Sequence, residues 1–308
     1  MDEGRGQGDS ADTGELLLER GAMALRLAPG IGGCVTGLCW RGFEVLRRVS
    51  GAPASALDSA AYPLFPFFGR IPHGRFRFGG RQVQLRPNFA PEPHAIHGQA
   101  WCGAWRVASQ DGQSAKLVFE HAGHDWPWAY RAEQRFRLLE DRLELALELC
   151  NLSSRDMPAG FGWHPFFSGA GALVEAAVDG VWRFGSRLEP TGLAPLEGRC
   201  DLRAPRPVAG LDLDHVFRWP GHRARICWPR TGLCAELLAA TPLDHLVVFA
   251  PPERDFVCVE PVSHVANALN ASLPGAESGL HVLAPGARLR GAIQLRVMLA
   301  RSNGEGAP

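Results

Sequence analysis

Leucine occupies every second position from Leu143 to Leu149 in the run Arg142-Leu-Glu-Leu-Ala-Leu-Glu-Leu-Cys-Asn151. A period of two sends successive side chains to opposite faces. The segment can therefore bury its leucines together only as a strand, with Glu144 and Glu148 on the other side. The same pattern recurs in short pieces bounded by turn residues. Arg75-Phe-Arg-Phe and Arg81-Gln-Val-Gln-Leu85 flank Gly79-Gly80, whose glycines suit the positive φ of a primed hairpin turn. Trp105–Ser109 and Ser114–His121 flank Asp111-Gly112, and Arg223–Pro229 and Leu233–Leu238 flank Arg230-Thr-Gly232. His245–Ala250, Phe256–Glu260 and Ala292–Ala300 read as further buried strands. No segment sustains a helical period, no repeat is present, and the 36 glycines and 24 prolines supply many turns. The expected fold is all-β, a large antiparallel β-sandwich. With no linker-like break, residues 16–301 are expected to form one domain, and the polar segments 1–15 and 302–308 to be mobile tails.

Charge narrows the chemistry. The 32 basic and 32 acidic side chains balance, which argues against a nucleic-acid partner. Of the basic residues 31 are arginine, and Lys116 is the one lysine. Lys116 lies in Ala-Lys-Leu-Val-Phe with no glycine loop before it, so a phosphate-binding P-loop is excluded and amine chemistry is disfavoured. The arginine excess reads as composition of a solvated surface. The polar start shows no export signal, and no apolar run reaches the roughly 20 residues that span a bilayer. Eight cysteines without a C-x-x-C pair read as buried free thiols of a cytoplasmic protein rather than a disulfide framework.

Polar, titratable residues interrupt apolar or glycine-rich surroundings at a few places. These are Pro63-Leu-Phe-Pro-Phe-Phe-Gly-Arg70-Ile-Pro-His73-Gly, His94-Ala-Ile-His97-Gly98, Gly160-Phe-Gly-Trp-His164-Pro165-Phe-Phe, and Val257-Cys-Val-Glu260-Pro261-Val, with Leu213-Asp214-His215-Val-Phe217 a smaller fifth. Glu260 ends an apolar strand, where a carboxylate must be hydrogen-bonded, raise its pKa or face a polar cavity. His164 is either a satisfied core histidine or a functional one. Arg70 beside an aromatic run suits cation–π packing as well as ligand binding, and Asp214 suits a turn cap equally. His94 and His97 have an H-x-x-H spacing, but no tight ligand cluster accompanies them, so no metal is expected.

Taken in order, these segments resemble the aldose 1-epimerase (mutarotase) family. Phe67-Phe-Gly-Arg70-Ile-Pro-His-Gly-Arg75-Phe is similar to its N-R-I-x-x-G-x-F segment, and His94-Ala-Ile-His97-Gly98 to H-x-L-H-G, with Trp101 or Trp105 as the downstream tryptophan. Gly162-Trp-His164-Pro165-Phe166-Phe167 resembles G-x-H-P-Y-F, Asp214-His-Val-Phe217 resembles D-x-x-F, and Cys258-Val-Glu260-Pro261 resembles C-x-E-P, with Asn267 or Asn270 behind it. Three positions depart from the pattern. Gly69 stands where Asn is common, Phe166 replaces a frequent Tyr, and Trp163 puts a bulky residue next to His164.

The resemblance implies a galactose mutarotase-like supersandwich that interconverts the anomers of a free hexose or pentose without a cofactor. It casts Glu260 as the base at O1 and His164 as the acid at O5. His97 would assist at the same oxygens, while Arg70 and Asp214 would hold ring hydroxyls. Two alternatives keep the fold. One is a hexose-6-phosphate mutarotase using Arg75, Arg77 or Arg131 as phosphate contacts. The other is a sugar-binding or regulatory protein without turnover. The preferred sugar and the oligomeric state stay open.

Overall fold

Alternation along the strands builds two antiparallel sheets packed face to face. In this computed structural model residues 14–273 and 275–300 are described. One sheet has eleven strands, and its middle runs Cys34–Trp40, Ala61–Leu64, Gly162–Ser168, Phe256–Val262, His245–Ala250, Leu213–Arg218. The other has nine, centred on Ala129–Leu138, Arg142–Asn151, Arg288–Leu299 and Leu233–Ala239. The three expected hairpins form across Phe78↔Arg81, Gln110↔Ala115 and Trp228↔Leu233. Among the described residues the longest α-helix is Gly275–Ser278, and no helix is long and apolar enough to cross a membrane. Most of the two expected tails lies outside the described residues, but Glu15 accepts a hydrogen bond from Thr36 and so is held against a strand.

Between the sheets lies one continuous apolar core. Leu143, Leu145, Leu147 and Leu149 enter it from the nine-stranded sheet, and Trp163, Phe167, Val257, Val259, Leu246 and Val248 from the other. Burying each such side chain contributes roughly 1.5–3 kcal/mol. The opposite face of the eleven-stranded sheet carries a second apolar cluster, including Tyr62, Phe166, Val216, Val247, Cys258 and Val262. Central strands of that sheet are therefore buried on both faces. Polar residues on the second face must find partners there or remain unsatisfied.

Two sequence expectations need correction. The arginine excess is not merely surface composition, because much of it forms cross-strand ion pairs on the outer face of the nine-stranded sheet. Glu148, placed correctly opposite the leucines, is buried there, paired with Arg288 and, at 2.7 Å, with Arg290. Glu236 takes Arg223 at 2.8 Å and Arg225 at 2.9 Å. The thiols are not all free either. Cys227 and Cys234 are direct partners across the third hairpin and form a disulfide, with their Cα atoms 4.1 Å apart. Cys102 is exposed rather than buried.

Burial works to raise the Glu148 pKa, but hydrogen bonds from Arg290 and Arg288 outweigh it and leave the carboxyl below its ordinary value. Its stabilising contribution is then present above the unfolded-state value and is lost as pH falls through the folded one. Glu148→Gln should lower the melting temperature at neutral pH. The gap to the parent protein should close in acid, as followed by thermal unfolding across pH.

Candidate active site

Strand register brings the site together on the second face of the eleven-stranded sheet. His164 is the direct cross-strand partner of Tyr62. The flanking pairs Gly162↔Val262 and Phe166↔Cys258 set the next strand so that Glu260 comes alongside, with Val247 on its far side. His164 Nε2 and Glu260 Oε1 are 3.3 Å apart. Both side chains are nearly removed from solvent, at 7% and 2% exposure. Glu260 Oε2 and His164 Nδ1 are buried with no hydrogen-bond partner.

His97 reaches the pair from the loop after Ala95–Ile96, its ring centroid 5.7 Å from that of His164. Two hydrogen bonds fix it to Gly69. The Gly69 N–H donates to His97 Nδ1 at 3.2 Å, and the His97 N–H donates to the Gly69 carbonyl at 3.0 Å. Because Nδ1 accepts, the neutral imidazole carries its proton on Nε2. Gly69 has φ +76°, and a Cβ there would come within 2.8 Å of the Ala266 Cβ. Glycine at this departure from the family pattern thus serves through its backbone. Gly98 is tighter still, since a Cβ would lie 1.8 Å from the Phe65 carbonyl oxygen at φ +72°.

Arg70 pairs in register with Ile96, one residue before His97, and its guanidinium meets Glu92 at 3.3 Å. Its charge bears on His97 and Tyr62. Asp214 is exposed on Leu213–Arg218, and its charge bears on Glu260 and Cys258. Glu260, His164 and His97 therefore converge, with Arg70 and Asp214 flanking them. Trp163, adjacent to His164 in sequence, points into the inter-sheet core and leaves the site clear. Of the two candidate tryptophans, Trp101 faces the site beside Tyr62, while Trp105 sits in the inter-sheet core.

Burial sets the electrostatics. It raises Glu260 well above the ordinary carboxylate range, and the Asp214 charge adds to this. Burial also lowers His164 to about 3, with the Arg47 cation acting in the same direction. His97 is likewise held well below its usual value by burial, then by His164 and Arg70. Burial thus disfavours the charged form of both partners: His164 is a neutral imidazole at neutral pH, and Glu260 is driven toward its protonated form.

His94 turns away from His97 and accepts from the His73 N–H at 3.1 Å, so the H-x-x-H spacing does not form a chelate. Among the described residues, His164, Cys258 and Glu260 form the one group that could hold a metal, their ligand atoms within 4.8 Å of one another. Sequence reasoning missed Tyr62 and Arg47. Tyr62 is one of only two tyrosines and precedes the Pro63 cluster, which was a usable signal. Nothing local marked Arg47 among its many counterparts.

The fold and these residues define a large antiparallel β-sandwich with a buried carboxylate–imidazole pair on one sheet face. The aldose 1-epimerase family model matches residues 16–296, and the chain belongs to that family. The uncharacterised protein YphB of Escherichia coli K12 is 30% identical over 275 residues, covering 86% of this chain and 93% of that one. A crystal structure of a candidate aldose 1-epimerase from Escherichia coli K12 superposes with TM-score 0.84 at 28% identity, covering 93% and 99%. A galactose mutarotase-like protein from Clostridium acetobutylicum shares the fold, with TM-score 0.83 at 21% identity over 92% and 94%.

Gly98→Ala should cost more than about 1 kcal/mol of stability, because both the left-handed backbone and the Phe65 carbonyl oppose a side chain. It should also lower any activity that depends on His97. Thermal melting and kinetic assay of the purified variant check this.

Proposed function

We propose that this protein is an aldose 1-epimerase that interconverts the α and β anomers of a free hexose or pentose. The observation that carries the reading is the 3.3 Å approach of Glu260 Oε1 to His164 Nε2 on a buried sheet face. Mutarotation removes a proton from O1 and delivers one to O5, two oxygens bonded to the same carbon. Its acid and base must therefore stand side by side. The unpartnered Glu260 Oε2 agrees with a carboxylate meant to receive a sugar hydroxyl.

In the proposed sequence the resting pair holds one proton, on the Glu260 carboxyl. As the sugar seats, its O1 hydroxyl replaces the imidazole as the partner of Glu260, and the carboxyl proton passes to His164. Glu260 then takes the proton from O1 while His164 gives its proton to O5, and the C1–O5 bond opens. The aldehyde turns about C1–C2 and recloses on its other face, with each group reversing its role. His97 donates from Nε2 to the same oxygens, and Arg70 and Asp214 hold ring hydroxyls. No cofactor enters this sequence. A cytoplasmic location and a single domain over residues 16–301 complete the proposal. Two of the three arginines weighed for a phosphate are less suited to it, because Arg75 is engaged by Gln84 at 2.8 Å and Arg131 by Glu120 at 2.7 Å.

Polarimetry with fresh α-D-glucose, α-D-galactose and other free aldoses, alongside their 6-phosphates, tests the reading. Catalysed equilibration of a free sugar is expected, and only the spontaneous rate across the panel would overturn it. Glu260→Gln should lose roughly 10²–10⁴-fold in rate while still binding sugar by calorimetry. The pH profile should also be diagnostic. A second proton enters only where His164 titrates, about 3, and the first leaves only well above the ordinary carboxylate range. The acid limb of the catalysed rate should therefore lie well below ~6.5, where an ordinary histidine titrates.

A further inference from the structure

The His164 imidazole is oriented mainly by packing. Its Nδ1 has no hydrogen-bond partner, so only the contact of Nε2 with Glu260 is polar. Two rings brace it from different directions. Tyr62, across on the neighbouring strand, has its centroid 4.5 Å away at 22°, and Phe166, two residues along the same strand, lies at 4.6 Å and 29°. Phe166 is itself capped by Arg47, whose guanidinium carbon stands 3.6 Å from the ring centroid.

Arg47 is unusually well tied for a half-exposed side chain. Its backbone N–H donates to the Phe166 carbonyl at 2.7 Å. Its Nε donates to the Ser59 carbonyl at 2.6 Å and its Nη2 to the Leu57 carbonyl at 2.5 Å. A planar fork with two fixed carbonyl acceptors cannot drift across the ring, which a lysine in its place could do. Among the described residues no acidic side chain forms an ion pair with it, and its cation stands over the aromatic face.

We propose that Arg47 is a positioning residue for the mutarotation step: by clamping Phe166 it locks the His164 imidazole in the rotamer that presents Nε2 to Glu260. The inference rests on the proposed role of His164. The groups facing that imidazole are Glu260 and Cys258 from one strand, Tyr62 from the other, His97 from its loop, and Arg47. Arg47 is a permanent cation bearing on the imidazole, and its charge disfavours the imidazolium. Loss of that charge therefore moves the acid limb of the rate profile to higher pH.

Arg47→Met keeps apolar bulk and removes the fork and the charge. It should lower kcat about tenfold, hold KM within about twofold, and shift the acid limb upward. Arg47→Lys should restore the acid limb but only part of kcat, because the tether to two carbonyls is not rebuilt. In a Phe166→Leu background, Arg47→Met should add little further loss, since the clamp acts through that ring. Unchanged kcat in Arg47→Met, or losses that simply add, would overturn the inference. Should Arg47→Met fail to fold, wild-type kcat in Arg47→Lys would overturn it instead. A readout independent of activity is the ¹⁵N spectrum of His164 in the sugar-free protein at neutral pH. One sharp tautomer is expected in the parent and averaged signals in Arg47→Met, and identical spectra would count against the clamp. That contrast between the parent and Arg47→Met, found in a protein with no mutarotase activity, would instead sink the proposed function and leave the clamp standing.

Discussion

The site depends on the registration of three strands whose two faces are both buried. Ala61–Leu64, Gly162–Ser168 and Phe256–Val262 send Ala61, Trp163, Phe167, Val257 and Val259 into the inter-sheet core. That commitment forces His164, Phe166, Cys258 and Glu260 to the opposite face. A slip of one residue on any strand would exchange these sets, placing a carboxylate in the main core and a tryptophan at the site. The large apolar side chains thus fix the register, and the polar pair follows from it. Stability and the geometry of the acid–base pair are aspects of one packing arrangement.

Burial then turns two ordinary side chains into an unusual pair. In water an adjacent carboxylate and imidazole would exist as an ion pair. On this face the cost of desolvation falls on both charged forms and pushes the pair toward the neutral arrangement. Such a pair can pass a proton without creating a lasting charge, as the proposed reaction requires. His97 is kept neutral by the same cause and given a definite tautomer by the Gly69 backbone. Glycine is required at that position because the chain passes so close to Ala266.

Much of this was legible before any coordinates. The leucine alternation of residues 143–149, the three glycine-marked hairpins and the strand ending at Ala250 all form as their patterns imply, and the strand expected to end at Glu260 forms and runs on to Val262, because period two has only one way to bury one side. Glu260 and His164 stood out since a titratable group within an apolar strand needs a reason. The disulfide was legible in principle: the hairpin centred on Arg230-Thr-Gly232 already makes Cys227 and Cys234 opposite partners. General rules about compartment and chain size pointed the other way. The arginines were misjudged because a period-two strand shows which face a residue occupies and not which neighbour lies across from it.

The sequence by itself determined the strand pattern, the face each residue occupies and the residue types available for proton transfer, since these depend on local periodicity and on intrinsic chemistry. Only the tertiary structure decided which strands are neighbours, and with them every property that needs two distant segments. Those include the 3.3 Å approach of His164 to Glu260, separated by 96 positions in the chain, and the bracing of His164 by Tyr62. They also include the arginine that caps Phe166. Proximity between segments is set by global packing and loop paths, and desolvation exists only once both faces of a sheet are covered. The pKa values of the pair, and the importance of Arg47, therefore had no local signature to read.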